Sequence, residues 1–241
     1  MVAVMQLPLS INVSPKQDFA SFVVGSDIPV CHTLENIHAT NIPIVFISGP
    51  TGSGKSHLLN AVCLAQPADY PFMFLDAATL APYFQEPGDA TEVLNGLESN
   101  HLICIDNVDS LLPNPHWQFA LFDLINRVLE QGHSIILTSK KRYDDQNFTL
   151  PDLRSRLVWG ETYHLAPLDD TQIQGALSQY IESKQVKFQD QSLTYLLNHF
   201  PRDIKTLKSY IDEIDMHALS HKKAITIPLI KDWFAQLTAH D

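Results

Sequence analysis

A chain of 241 residues, 45% hydrophobic and 18% charged, is long enough to bury a core in one large domain, or in a domain with a smaller appendage. Its 16 lysines and arginines against 27 acids give a net charge of −11, which argues against a free-standing nucleic-acid binder and against direct, sequence-specific DNA reading. The three cysteines, Cys31, Cys63 and Cys104, are scattered and odd in number; Cys63 and Cys104 lie in apolar runs and read as small core residues, which fits a reducing, cytoplasmic setting and no disulfide frame.

The first residues, MVAVMQLPLSINV, lack a basic start, and Gln6, Pro8, Ser10 and Asn12 interrupt their apolar run. This is a poor signal peptide, and no run in the chain approaches membrane-spanning length. Residues 1–14 predict an extended tail. Residues 15–166 alternate short apolar strands with helical patterns. The strands are IPIVFIS (42–48), PFMFLDA (71–77), HLICID (101–106), HSIILTS (133–139) and ETYHLA (161–166). Helices are expected to start near Lys55, Glu92 and Trp117, with a short one around Leu150 to Leu157. In WQFALFDLINRVLEQG the apolar residues form a helical stripe, and Gly132 suits the position just past the helix end.

Near-continuous apolar strands separated by helices imply an α/β domain, a parallel sheet covered on both faces. Beyond PLDD (167–170) the strand signal fades. Helices follow over about 170–184, 190–199, 202–219 and 227–237, with Pro228 in the first turn of the last. Residues 167–241 thus predict a small all-helical lid domain, hinged near Leu165 to Asp170.

GPTGSGKS (49–56) fits the pattern G-x-x-x-x-G-K-[ST], placed after a strand and at the opening of a helix, as phosphate binding requires. Glycines let backbone N–H groups curl around phosphate oxygens, and the helix N-terminus adds about half a positive charge. Pro50, Thr51, Gly52, Ser53, Gly54, Lys55, Ser56 and His57 are the candidate phosphate-side residues. Lys55 would reach the β and γ phosphates, and Ser56 would ligate Mg²⁺.

In LICIDNVDS (102–110), Asp106 ends a buried strand, where open α/β sheets place ligands, and is the second candidate Mg²⁺ contact. A nucleotide hydrolase of the common type would carry an acid next. Asn107 stands there, and an amide orients water but accepts no proton at neutral pH. Asp109 lies two residues further on and need not reach the γ phosphate.

Five arginines are present: Arg127, Arg142, Arg154, Arg156 and Arg202. Arg156 sits in LRSRLVWG, and Arg202 in FPRDIKTL at the opening of a lid helix. The order of phosphate loop, strand-end Asp106, polar strand end at Thr138–Ser139, SRLVWG and a lid arginine resembles AAA+ proteins. FVVGSD (22–27), IILTS and SRLVWG are similar to the DnaA branch of that family. IDNV, LPDLRSRLVWG, PRDIKTL and ITIPLIKDWF are closer to its shortened, Hda-type members. The likeness covers nearly the whole chain.

This resemblance implies a three-layer αβα AAA+ fold with a lid, and a bound ADP or ATP with Mg²⁺. It places Phe22, Val23, Val24 and Gly25 against the adenine, Ser139 beside the γ phosphate, and Arg202 on the phosphates as the lid sensor. Arg156 looks like an arginine finger pointing toward a neighbour's γ phosphate, a role worth roughly 10³–10⁵ in rate. Arg154, two residues from Arg156, reads equally as solvated surface. The chain stops after the lid, where the initiator continues into a basic DNA-reading domain, so the expected partner is a DnaA-like initiator.

QLPLSI (6–11) resembles the peptide by which such proteins hold the DNA polymerase sliding clamp, with Gln6 making a polar contact and Leu7, Leu9 and Ile11 filling an apolar groove. Pro8 and Ser10 stand in swapped places relative to the usual form. His217 and His221 are spaced for a helical Zn²⁺ pair but lack a third ligand and read as surface histidines. The basic cluster at Lys140–Arg142 reads as a solvated loop.

The leading expectation is a regulator that inactivates an ATP-bound initiator by stimulating its hydrolysis, with a homodimer favoured by two-sided AAA+ interfaces. The alternatives are a self-contained AAA+ ATPase acting as a loader or remodeller, and an adaptor without catalytic role. Rapid turnover by this chain alone would favour the first alternative. Indifference of partner hydrolysis to Arg156 would favour the second.

Overall fold

The computed structural model describes residues 17–22, 28–40, 42–82, 89–201 and 203–238. They fall into two compact units, Met1–Pro167 and Leu168–Asp241. In the first unit the elements are α1 (Ile28–Glu35), β1 (Ile44–Ser48), α2 (Lys55–Ala65), β2 (Phe72–Asp76), α3 (Ala77–Leu80), α4 (Asp89–Val93), β3 (Leu102–Asp106), α5 (Pro115–Glu130), β4 (Ser134–Ser139), α6 (Pro151–Trp159) and β5 (Glu161–His164).

All five strands are parallel, in the order β2-β3-β4-β1-β5. Every residue of β1, β3 and β4 is buried, which is why these strands read as unbroken apolar runs. The edge strand β5, ETYH, is largely exposed and correspondingly polar. Side chains alternate between two cores, as a period of two dictates. Ile44, Phe46, Ile103, Ile105, Ile135 and Leu137 pack with Leu121 and Leu124 of α5 and Leu153 and Leu157 of α6. Val45, Ile47, Cys104 and Ile136 pack on the other face with Leu58, Leu59 and Val62 of α2 and Val30 and Leu34 of α1. The result is the three-layer αβα arrangement expected.

The sequence missed α1, whose eight residues carry little helical periodicity. It expected a helix from Glu92; the chain instead forms the short α4 and then turns at Gly96, whose φ of 84° lies in the left-handed region. The helix expected from Trp117 starts at Pro115, because the Asn114 side chain accepts from His116 N and caps it, with proline at the first position.

The second unit holds α7 (Asp170–Ser183), α8 (Asp190–His199), α9 (Ile204–His221) and α10 (Ile227–Thr238). Asp169 and Gln172 form a reciprocal cap at the start of α7, and the Asp203 carboxylate caps α9 through Thr206 N. Their apolar faces meet in a core of Leu177, Leu196, Leu207, Ile211, Ile214 and Ile230, closed by Phe200 and Trp233. Among the described residues no helix is long and apolar enough to cross a membrane.

Candidate functional site

The phosphate-loop sequence spans the turn from β1 into α2, at the carboxyl ends of the strands. Gly49 N donates to Ser139 O at 3.1 Å, tying the loop to β4. Gly54 takes φ 95° and ψ 5° at the start of α2, and a Cβ there would lie 2.6 Å from Cε2 of Phe22. Only glycine satisfies both conditions. The helix opens with backbone N–H groups that have no partner in a preceding turn, aimed into the loop. Thr51 is exposed at the loop's tip, and Ser53 is buried.

Lys55 is 6% exposed, and its Nζ donates to Gly49 O at 2.7 Å, Pro50 O at 2.7 Å and Ser53 Oγ at 3.3 Å. Burial pushes its pKa below the ordinary lysine value, opposed by the charges of Asp106 and Asp109. Ser56 Oγ donates to Asp106 Oδ2 at 2.6 Å, and Thr138 Oγ1 donates to Asp106 Oδ1. Burial raises the Asp106 pKa, the Ser56 and Thr138 hydrogen bonds pull it down, Asp76 raises it, and Lys55 lowers it. Of the polar strand-end pair, Thr138 is the residue that reaches Asp106. Ser139 is wholly buried, and its Oγ accepts from Lys141 N at 2.9 Å.

Asn107 adopts a left-handed backbone, φ 57° and ψ 41°, one that asparagine tolerates better than most residues. Its N donates to Thr138 Oγ1 at 3.0 Å, and its side-chain Nδ2 donates to Asp76 Oδ1 at 3.0 Å. Asp76 ends β2 in register with Asp106 at the end of β3. Asp76 was missed by sequence reasoning. The signal was available: PFMFLD and HLICID are adjacent parallel strands that both end in aspartate. Asp109 Oδ1 accepts from Lys140 N at 2.9 Å, just past β4.

Phe22 is buried against the phosphate loop and meets the His57 ring edge-on, centroids 5.4 Å apart. His57 Nε2 lies 2.9 Å from Asp18 O, so this histidine fastens the segment before Phe22 onto α2. Val23, Val24, Gly25 and Arg202 lie outside the described residues, as do Gln6, Leu7, Leu9 and Ile11.

The arginines separate by environment. Arg127 pairs with Asp123 and with Glu98 at 3.2 Å and also donates to Leu94 O, a structural role. Arg142 pairs with Asp144 at 3.3 Å on the surface. Arg154 is exposed beside an open cavity of about 380 Å³ with Tyr143 and Asp144. Arg156 lies in an open cavity of about 470 Å³ lined also by Phe122, Asp152, Ser155, Val158 and Trp159.

The placement of α6 comes from two fixings. Gln118 of α5 is 1% exposed; its Nε2 donates to Leu112 O at 2.7 Å and Asn147 O at 3.0 Å, and its Oε1 accepts from Leu150 N at 3.1 Å. Gly160, just past the helix, approaches β1 so closely that a Cβ would lie 2.5 Å from Ile44 O.

No cluster of three metal-ligating side chains exists among the described residues. Mg²⁺ with a nucleotide needs no such cage, because it takes one or two protein oxygens, phosphates and water. Adjacent Ser56 Oγ and Asp106, beside a buried lysine and a glycine loop, fit that demand.

Residues 13–164 match the family profile of the bacterial DnaA ATPase domain, and residues 169–234 match that of the Hda lid domain. The fold is similar to domain III of the Thermotoga maritima replication initiation protein DnaA (TM-score 0.78, 18% identity, 93% of this chain and 98% of that one). It is similar to AMPPCP-bound DnaA from Aquifex aeolicus (TM-score 0.71, 21% identity, 87% of this chain and 68% of that one). It also resembles the Thermotoga maritima RuvB Holliday junction branch migration motor (TM-score 0.67, 15% identity, 92% of this chain and 72% of that one).

Proposed function

The chain belongs to the bacterial DnaA ATPase family and ends in an Hda-type lid, as a DnaA-related AAA+ replication regulator, and from that premise we propose that it inactivates a DnaA-like initiator by stimulating hydrolysis of the initiator's ATP. Arg156 is the residue that acts, supplied in trans. Its guanidinium makes no ion pair or hydrogen bond among the described residues and faces an open cavity, as does that of Arg154 and unlike the paired Arg127 and Arg142; of the two unpaired arginines, Arg156 is the one set over an aromatic ring, that of Trp159. That unpaired fork is the observation that carries the proposal. A guanidinium with all its donors available suits the charge that spreads over a transferring phosphoryl group.

The chain's own nucleotide site has a different task in this reading. Gly49 to Ser56 would hold the phosphates of ADP or ATP, Lys55 would neutralise them, and Ser56 and Asp106 would hold Mg²⁺, which supplies charge neutralisation there. Phe22, with Val23, Val24 and Gly25, would lie against the base, and Arg202 would sense the phosphates from the lid. The residue after Asp106 is an amide tied to Asp76, so no carboxylate is placed there to take a proton from water. The site is suited to holding nucleotide more than to turning it over.

The tail from Gln6 to Ile11 would dock on the sliding clamp, delivering the chain to freshly replicated DNA in the cytoplasm. A homodimer would cover Arg156 until the initiator arrives. The test is hydrolysis of initiator-bound ATP in the presence of DNA-loaded clamp, with the protein and with Arg156→Ala. Strong stimulation that the variant abolishes is the expected result. Unchanged initiator hydrolysis, alongside rapid turnover by this chain alone, would favour the self-contained ATPase instead.

A further inference from the structure

Trp159 is 70% exposed, an unusual position for the largest apolar side chain. It stands one helical turn after Arg156 on α6, and the Arg156 Cζ lies 5.5 Å from its ring centroid. Val158 beside it is 55% exposed. Asp152 lines the same cavity one turn before Arg156, the spacing at which a helical ion pair forms, yet no such pair is made.

The choice of neighbour has a chemical consequence. A carboxylate at Arg156 would fix the guanidinium, but it would occupy its N–H donors and cancel its charge. An indole face holds the guanidinium from below by its quadrupole and leaves all five N–H donors in the fork's plane. The planar fork is then oriented before any anion arrives, which lowers the entropy lost when it binds.

We propose that Trp159 is a positioning residue for Arg156, a shelf that presents the guanidinium edge-outward to the phosphoryl group of the partner's nucleotide. This rests on the reading of Arg156 as a finger in trans. The backbone favours it: Gly160 is pressed against Ile44 O, so the end of α6 that carries Trp159 cannot drift from the sheet.

The experiment titrates full-length protein against initiator-bound ATP with DNA-loaded clamp, and reads the maximal hydrolysis rate separately from the half-saturating concentration. The variants are Trp159→Ala, Trp159→Leu, Trp159→Phe and Arg156→Ala. An exposed stacking contact of this kind corresponds to about a two- to fivefold loss. Alanine and leucine are expected to lower the maximal rate by that factor at an unchanged half-saturating concentration. Phenylalanine, which keeps a π face, is expected to retain more rate than leucine. Because Trp159 is exposed, melting temperature and nucleotide affinity should not move. A loss confined to the half-saturating concentration would make Trp159 a partner contact and overturn the proposal. So would equal rates for leucine and phenylalanine, or a wild-type rate for alanine. Full stimulation by Arg156→Ala would instead overturn the finger reading, and the shelf with it.

Discussion

Asn107 Nδ2 donates to Asp76 Oδ1 at 3.0 Å across the ends of β3 and β2, so an amide and a carboxylate face each other beside Asp106. Asp76 also caps α3 by accepting from Ala78 N at 3.0 Å. The chain therefore has a second acid at the end of its sheet, one strand further from the phosphate loop than Asp106. Placing an acid at 107 alone would set two carboxylates within hydrogen-bond distance. Asn107→Asp is expected to destabilise the fold by about 1–3 kcal/mol. The exchange Asp76→Asn with Asn107→Asp restores one donor and one acceptor between the two positions and suits the left-handed backbone at 107, but it gives up the cap on α3, because the Oδ1 that faces position 107 is the same atom that accepts from Ala78 N. It is expected to recover part of the melting temperature lost in Asn107→Asp and to raise intrinsic ATP turnover tenfold or more, toward the 10²–10⁴ typical of general bases. An exchange variant that folds and binds ATP yet turns over no faster would show that the amide at 107 is not what restrains hydrolysis.

Much of this site was legible because its chemistry is local. The phosphate loop is eight contiguous residues, and Asp106 is marked by the buried strand it ends. The relationships that were not legible are between elements. Asp76 reaches Asn107 only because β2 and β3 pair in register. Gln118 reads as a polar residue in an amphipathic helix, yet it is buried to hold the backbone at Leu112, Asn147 and Leu150. The central strands β1, β3 and β4 were readable to within two residues because both of their faces are covered. The helix expected from Glu92 was not, since Gly96 breaks it.

Asp106 should show its function as a cost. Its pKa is raised, chiefly by burial, so the folded state binds a proton more readily than the unfolded chain does. At neutral pH its charge subtracts from stability. The loss is relieved as pH falls through the raised pKa toward the ordinary carboxylate value of 3.8. Asp106→Asn is expected to leave the melting temperature unchanged or raise it, by about 0.5–1 kcal/mol equivalent. It should abolish Mg²⁺-dependent nucleotide binding, read by calorimetry. In the wild type that binding should weaken with acid at a pH above 3.8, earlier than an unperturbed carboxylate would dictate. Strongly reduced stability in the asparagine variant would contradict this account.

Gly160 and Gln118 fix the two ends of α6, so each should control Arg156 from a distance. Gly160→Ala drives a Cβ into the Ile44 carbonyl at 2.5 Å, a backbone contact that no side-chain rotation relieves. A loss of about 1–3 kcal/mol is expected, read by urea unfolding. Gln118→Ala leaves the Leu112 carbonyl and the Leu150 N–H without partners, and Asn147 O with Thr149 N alone, and should cost about 2–4 kcal/mol. In both variants nucleotide binding at Lys55 and Asp106 should persist under conditions where the protein stays folded, while stimulation of initiator hydrolysis falls. If nucleotide binding falls equally, α6 is not an independent platform for the finger.

Docking and chemistry should also separate at the N-terminus. Removing residues 1–11 deletes Gln6, Leu7, Leu9 and Ile11 and none of the described residues. In the proposed function, docking through these residues would raise the effective concentration of Arg156 near clamp-bound DNA, by as much as 10²–10⁴ in overall avidity. The truncated protein is expected to keep its melting temperature and nucleotide affinity and to lose stimulation at low concentration. Raising its concentration should recover the maximal rate, because Arg156 and its surroundings are untouched. Arg156→Ala should show the opposite pattern: intact clamp binding, measured by surface plasmon resonance, with no stimulation at any concentration. A truncation whose maximal rate cannot be recovered would mean that the tail takes part in the chemistry itself.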